Sequence, residues 1–215
     1  MRKLLFLGCF FIGLVGFGQQ QFAGEIAQFR KQDSIHPPQK GLVLFVGSSS
    51  FRLWTTMASD FNNPNILNRG FGGATINDIL FYEDEVVLKY EPSKIVFYCG
   101  ENDIAADPNL TPEAVLLRFQ TFFTHIRQAF PKVPFYFVGI KPCPSRWAMQ
   151  ERMQATNRLI EAYLAKQPAT VFISVWEAML QNGVPNPALF REDQLHMNAL
   201  GYAIWITALR PYLQP

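Results

Sequence analysis

"VLFVGSSSFRLW", residues 43–54, carries an apolar run directly into a glycine and three consecutive serines. A strand with one wet face alternates apolar and polar residues. The unbroken run "LVLFV" (42–46) therefore reads as a short strand covered on both faces. Four more segments downstream are short, mostly apolar and rich in β-branched or aromatic residues: "NILNR" (65–69), "KIVFYC" (94–99), "PFYFVGI" (134–140) and "TVFISV" (170–175). Between them lie longer stretches with helical periodicity. In 111–130, Leu116, Phe119, Phe123, Ile126 and Phe130 share one face, and Thr111 followed by Pro112 and Glu113 is a favourable start. Residues 75–90 and 147–166 read similarly, and a last helix is expected to begin after Asn198, a good cap. Five strand–helix alternations with right-handed crossovers predict a flavodoxin-like three-layer α/β/α sandwich on a five-stranded parallel sheet.

Upstream of the first strand, residues 1–18 combine Arg2 and Lys3 with an apolar run from Leu4 to Phe17 and then Gly18. That order is expected of a secretory signal peptide. The run is short for a membrane span. A retained anchor and lipidation at Cys9 are the other readings. Residues 19–40 are polar and contain "HPPQK", which reads as an N-terminal lead-in, leaving 41–215 as one domain. The 215-residue chain is 49% hydrophobic and 14% aromatic, with 20 Phe, a composition that forms a core rather than a disordered coil.

Of 19 Lys and Arg, two fall in the first three residues, so removing the leader leaves 17 cations against 17 acids. A neutral balance gives no electrostatic reason to expect nucleic acid or an anionic membrane surface as partner. The oligomeric state stays open. Cys99 and Cys143 remain in the mature chain, near the ends of two predicted strands. They are either two small buried thiols or a disulfide, which export would permit.

In doubly wound sheets, ligands bind beyond the C-terminal strand ends. The segments leaving those ends are polar: Gly47 to Ser50, "GFGGAT" (70–75), "GEND" (100–103) and "KPCPSRW" (141–147), with "DQLHMN" (193–198) before the last helix. Together they hold the parts of nucleophilic catalysis. A serine hydroxyl needs a base to take its proton, which His196 can do. Asp193, three residues earlier, can fix the imidazole tautomer. Attack on an ester creates an oxyanion that needs aimed donors, and the N–H groups of Ser49 and Gly73 with the Asn102 amide would supply three.

The same segments carry a family resemblance. The sequence resembles the SGNH (GDSL-type) hydrolases, whose serine, glycine, asparagine and histidine lie in separate blocks. "FVGSSS" is similar to the first block, "NRGFGGAT" to the second, "GEND" to the third and "DQLH" to the last. All four occur in order, and the resemblance spans about residues 42–213. By position it implies Ser49 as nucleophile, Gly73 and Asn102 as oxyanion-hole donors beside the Ser49 N–H, Asp193 as orienting acid and His196 as base. Ser48 stands where the family usually has Asp, which alters the hydrogen bonding expected around the nucleophile turn. Ser48 and Ser50 are read as turn or cap residues, Ser50 foremost as the cap, and Asp103 as structural. Arg146 and Trp147 either line the cleft as substrate contacts or anchor the next helix. His36 and His125 are expected to stand apart.

Other chemistries fail on pattern. Phe51 breaks any Gly-x-Ser-x-Gly elbow, no GxxxxGK[ST] loop is present, and "GFGGAT" lacks the full dinucleotide spacing. Three His without paired spacing do not suggest zinc. The implied function is an exported, periplasmic or secreted serine esterase acting on short acyl esters, with acetyl groups on glycans foremost, and needing no metal or organic cofactor. The alternatives are an acyltransferase using the same acyl-enzyme and a non-catalytic glycan- or lipid-binding protein on the same fold.

Overall fold

The computed structural model describes residues 20–213. The expected signal peptide and its cleavage point lie outside the described residues. A 3₁₀ turn (Gln20–Phe22) leads into α1 (Ala23–Ile35), followed by β1 (Val43–Gly47), α2 (Ser49–Arg52), α3 (Met57–Asp60), β2 (Ile66–Gly70) and α4 (Ile76–Phe81). Next come β3 (Lys94–Tyr98), α5 (Glu101–Ala106), α6 (Pro112–Ala129), β4 (Phe135–Val138), α7 (Gln150–Leu164), β5 (Thr170–Ile173) and α8 (Ala199–Leu213). The five strands pair in the order β2-β1-β3-β4-β5, all parallel, which is the flavodoxin-like order.

Strand residues alternate between two cores. Leu44, Val46, Ile95 and Phe97 face the layer built from α1, α4, α6 and α7. Val43, Phe45, Val96 and Tyr98 face α2, α3 and α8, where Trp205 meets Tyr98 with ring centroids 4.8 Å apart. This two-sided burial is why the strands read as apolar runs. On α6 the inward residues are Val115, Phe119, Phe122, Phe123 and Ile126, while Leu116 and Phe130 are only partly buried. Both expected caps form: Thr111 Oγ1 accepts from the Ala114 N–H at 3.2 Å, and Asn198 Oδ1 accepts from Leu200 N–H at 2.9 Å.

Two stretches differ from the sequence reading. The helix expected over 75–90 stops at Phe81 and continues as a π-helical turn, Asp84–Leu88. The lead-in is mostly α1, with Phe22 and Ile26 buried in the first core. Asp33 near its end pairs with Lys89 at 2.7 Å and accepts from Tyr90 Oη at 2.7 Å and from Arg69 Nη2, so a charge cluster clamps the helix to the sheet.

The register sets the loops level. Gly47 lies opposite both Gly70 and Tyr98, so β1, β2 and β3 release their following segments at one height. A Cβ on Gly47 would sit 2.1 Å from the Tyr98 carbonyl oxygen, which no side chain can occupy. Among the described residues no helix is long and apolar enough to cross a membrane.

Candidate active site

The segment after β1 presents one serine and hides two. Ser48 takes the N-cap position of α2, with φ −95° and ψ −162°, but its hydroxyl makes no capping bond. Its N–H donates to Tyr98 O at 3.1 Å, and its own carbonyl accepts from Phe51 and Arg52 N–H. Ser50 is inside α2 rather than at its cap, and Tyr202 Oη donates to its carbonyl at 2.8 Å. Ser48 and Ser50 are 3% and 2% exposed, and Ser49 is the one of the three that reaches solvent.

Ser49 meets the "DQLH" turn. His196 Nε2 lies 2.9 Å from Ser49 Oγ, and His196 Nδ1 lies 2.6 Å from Asp193 Oδ2. Asp193 Oδ1 accepts from the N–H groups of Leu195 (3.0 Å) and His196 (2.9 Å), which closes the turn. Gln194 between them takes φ +54°, in the left-handed region, because a turn this tight demands it. Arg191 N–H donates to His196 O at 2.8 Å and Ser145 N–H to Gln194 O at 3.1 Å, pinning the loop on both sides. Partial burial pushes the Asp193 carboxyl up. The hydrogen bonds from the His196 ring and from the two backbone N–H groups outweigh it and hold the group at about 2. An ionised carboxylate only accepts, so the ring proton sits on Nδ1 and Nε2 faces the Ser49 hydroxyl as an acceptor.

The sign of that shift gives a testable pH dependence. A carboxyl depressed in the folded state stabilises fully above its unfolded value, about 4, and the contribution is lost as pH falls through about 2. The Asp193 side chain is 47% exposed, so solvent screens the effect. The Tm difference between wild type and Asp193→Asn is expected to stay constant from pH 7 to about 4 and to shrink below that. Thermal melts across that range check it, and a difference that grows on acidification would contradict it.

Gly73 and Asn102 come to the same cleft. This opening of about 390 Å³ is lined by Ser49, Gly72, Gly73, Asn102 and His196, and also by Gln21, Phe22, Glu25, Arg52, Arg146 and Leu195. Gly73 has φ +76°, a conformation that glycine adopts without strain. Asn102 Nδ2 donates to Ala74 O at 3.0 Å, leaving its second amide hydrogen for a ligand, while Asn102 Oδ1 accepts from Arg146 Nη1 at 2.9 Å.

Arg146 thus lines the cleft and orients Asn102 as well. Trp147 points elsewhere, stacking on Trp176 with centroids 5.9 Å apart and packing on the first core. Asp103 is buried and bonds the Ile76 N–H (3.0 Å) and Arg118 Nη1 (2.7 Å), joining the third block to α4. His125 pairs with Glu83 at 2.8 Å, on another part of the molecule.

Beneath Asn102 lies an ionic cluster that no local sequence pattern announces. Glu101 Oε2 accepts from Lys141 Nζ at 2.7 Å and from Tyr98 Oη at 2.5 Å; Glu101 Oε1 is 3.2 Å from Cys143 Sγ and 3.5 Å from Arg146 Nη1. Burial pushes the Glu101 carboxyl up, but Lys141 and Arg146 override it and hold it below the usual range. Cys99 and Cys143 are both free, buried thiols. Burial, with the Glu101 charge beside it, pushes Cys143 up to about 11, so it is a poor nucleophile. Among the described residues no three His, Cys, Asp or Glu side chains group as metal ligands.

The model of the GDSL-like Lipase/Acylhydrolase family matches residues 44–204. No curated protein matches the chain. Among solved structures, a Streptococcus pneumonia protein provisionally named a platelet activating factor superposes with TM-score 0.78 at 20% identity, covering 91% of this chain and 94% of its own. A GDSL-like lipase from Bacteroides thetaiotaomicron VPI-5482 gives TM-score 0.68 at 21% identity, covering 90% and 96%. A mutant of Axe2, an acetyl-xylooligosaccharide esterase from Geobacillus Stearmophilus, gives 0.67 at 15% identity, covering 83% and 97%. At these identities the likeness is one of fold.

Proposed function

The chain belongs to the GDSL-like lipase/acylhydrolase family of ester-hydrolysing enzymes, and from that premise we propose an exported serine esterase that removes short acyl groups, acetyl foremost, from a hydroxyl-rich alcohol such as a carbohydrate. The observation that carries the reading is the chain of contacts from Asp193 through His196 to Ser49, at 2.6 and 2.9 Å.

In this reading His196 Nε2 takes the Ser49 proton as Oγ bonds to the ester carbonyl carbon. The carbonyl π electrons move to oxygen. The resulting oxyanion accepts from the Ser49 and Gly73 N–H groups and from the free Asn102 amide hydrogen. Ser49 begins a helix, so its N–H has no intrahelical acceptor and is available. Collapse breaks the bond to the alcohol oxygen, which leaves with the proton from His196. Water then gives a proton to His196, attacks the acyl-Ser49 carbonyl, and the second collapse returns the proton to Ser49 and frees the carboxylic acid. Asp193 holds the imidazolium throughout without taking a proton.

The lining supports the substrate class. Phe22 and Leu195 are its two large apolar side chains, set among Glu25, Arg52, Arg146 and Asn102. A long acyl chain needs a continuous apolar channel, whereas a small acyl group and a polar alcohol suit this surface. The likeness to an acetyl-xylooligosaccharide esterase and the leader-like residues 1–18 point the same way. The test is a panel of acetylated sugars, lysolipids, and p-nitrophenyl acetate and butyrate. Acetylated sugars should give the higher kcat/KM, and acetate should exceed butyrate. A protein inert on every ester that also takes up no phosphonate probe would be a binding protein instead. Acyl transfer to an added sugar outrunning hydrolysis would make it a transferase.

A further inference from the structure

α1 lies outside the matched residues 44–204, yet it reaches the cleft. Glu25, in its first turn, accepts the Gly72 N–H at Oε2 (2.9 Å) and pairs through Oε1 with Arg52 Nε (2.6 Å). The helix that carries it is held near both ends. Phe22 packs edge-on against Phe71, with centroids 5.0 Å apart, and Asp33 is clamped by Arg69, Lys89 and Tyr90.

Gly72 and Gly73 in succession form a turn with wide conformational freedom. The peptide plane between them carries the Gly73 N–H. The Gly72 N–H belongs to the preceding plane, Phe71–Gly72, so a fixed acceptor there anchors the entry to the turn, while the Ala74 carbonyl held by Asn102 Nδ2 anchors its exit; between the two anchors the Gly73 N–H has few directions open to it. The same contact occupies the Gly72 N–H, which leaves the Gly73 N–H as the donor free for substrate. A bare carboxylate beside a developing oxyanion would oppose it, and the Arg52 guanidinium cancels that charge. Arg52 is three residues after Ser49 on α2, so it shares a helix face with the proposed nucleophile.

We propose that Glu25 is a positioning residue for ester hydrolysis, its carboxylate locking the Gly72–Gly73 turn so that the Gly73 N–H faces the oxyanion, with Arg52 neutralising the carboxylate. The inference rests on the reading of Gly73 as an oxyanion donor. It assigns a task in the reaction to a helix that precedes the matched segment.

The experiment uses the full mature chain with p-nitrophenyl acetate, comparing wild type, Glu25→Ala, Glu25→Gln, Arg52→Ala and the double variant Glu25→Gln/Arg52→Ala, each with a Tm. Misplacing a donor by about 1 Å costs on the order of 10²-fold, so Glu25→Ala should lower kcat by about 10- to 10²-fold and leave KM within about threefold. Glu25→Gln keeps the acceptor and should retain most of kcat. Arg52→Ala exposes the carboxylate and should lower kcat about fivefold. The double variant should recover that loss, since neither charge remains. Unchanged kcat in Glu25→Ala, equal losses in Glu25→Ala and Glu25→Gln, or a double variant no better than Arg52→Ala would each overturn the inference. So would kcat losses that merely track Tm across the set. A wild type inert on esters would overturn the esterase reading as well, whereas an active wild type with an indifferent Glu25 overturns this inference alone.

Discussion

Ser49→Ala should remove ester turnover, with kcat falling by about 10³-fold or more, as triad deletions do elsewhere. The hydroxyl is the one of three adjacent serines that combines exposure with a contact to an imidazole, 2.9 Å from His196 Nε2. Removing it deletes the attacking atom and leaves the cleft, the donors and the fold in place, so KM and Tm should move little. Ser48→Ala and Ser50→Ala are the controls, because both side chains are buried and the hydroxyl of Ser48 makes no capping bond. They should keep kcat within about tenfold, since neither alters the reacting atoms. Mass spectrometry of the phosphonate-labelled peptide gives an independent readout, with the adduct expected on Ser49. An adduct on Ser48 or Ser50, or full activity in Ser49→Ala, would shift the nucleophile and require the turn to be rebuilt.

Lys141→Met should give the largest loss of stability, about 3 kcal/mol, near the lower end of the cost of breaking a buried ion pair. Lys141 and Glu101 are 1% and 5% exposed at the side chain and 2.7 Å apart. Deleting the ammonium leaves Glu101 buried with Tyr98 as hydrogen-bond donor and Arg146 as the remaining cation, which is why the loss stays at the lower end. For a chain of this size the change corresponds to a Tm drop of about 6–12 °C. The double variant Lys141→Met/Glu101→Gln should regain most of it, because no buried charge remains unpaired. The sign with pH follows from the depressed Glu101 carboxyl. With the lysine gone its value rises, so the deficit should be largest near neutrality and should narrow as acid protonates Glu101. Chemical denaturation at pH 7 and pH 4.5 measures both. A deficit that widens in acid would mean that Glu101 is not the group left stranded. Arg146 also bonds Asn102, so the same variant should draw Arg146 toward Glu101 and lower kcat through Asn102.

Much of the architecture was legible because its signals are local. Both-face burial makes the central strands β1, β3 and β4 nearly unbroken apolar runs, the edge strands β2 and β5 being more mixed, and the five strands of the parallel sheet begin and end within about two residues of the segments quoted from the sequence. The segments holding Ser49, Gly73, Asn102, Asp193 and His196 could be picked out because each is a short pattern at a strand exit or before a helix, and the fold brings exits together. What escaped has a common cause. Glu25 meets Gly72 across 47 positions and Lys141 meets Glu101 across 40, and neither pairing leaves a periodic trace. α1 reads as a lead-in because Ile26 and Phe29, with Phe22 in the turn before it, are its few apolar anchors, the rest of its hold being the Asp33 charge cluster. For Trp147 the sequence leaves cleft lining and helix anchoring equally open, because the partner that decides between them, Trp176, lies in another loop. Ser50 reads as a cap from its neighbours alone, whereas its backbone lies inside α2 and Ser48 takes the cap position.

The acid and the base of the proposed triad sit three residues apart in one closed turn, whereas the link from base to hydroxyl spans 147 positions. Drift of that turn therefore carries carboxylate and imidazole together as one body. The ring's tautomer is preserved through such motion, and only the gap to the hydroxyl opens. Competence can then be lost and regained by simple translation, with no proton having to be re-sorted on the way back.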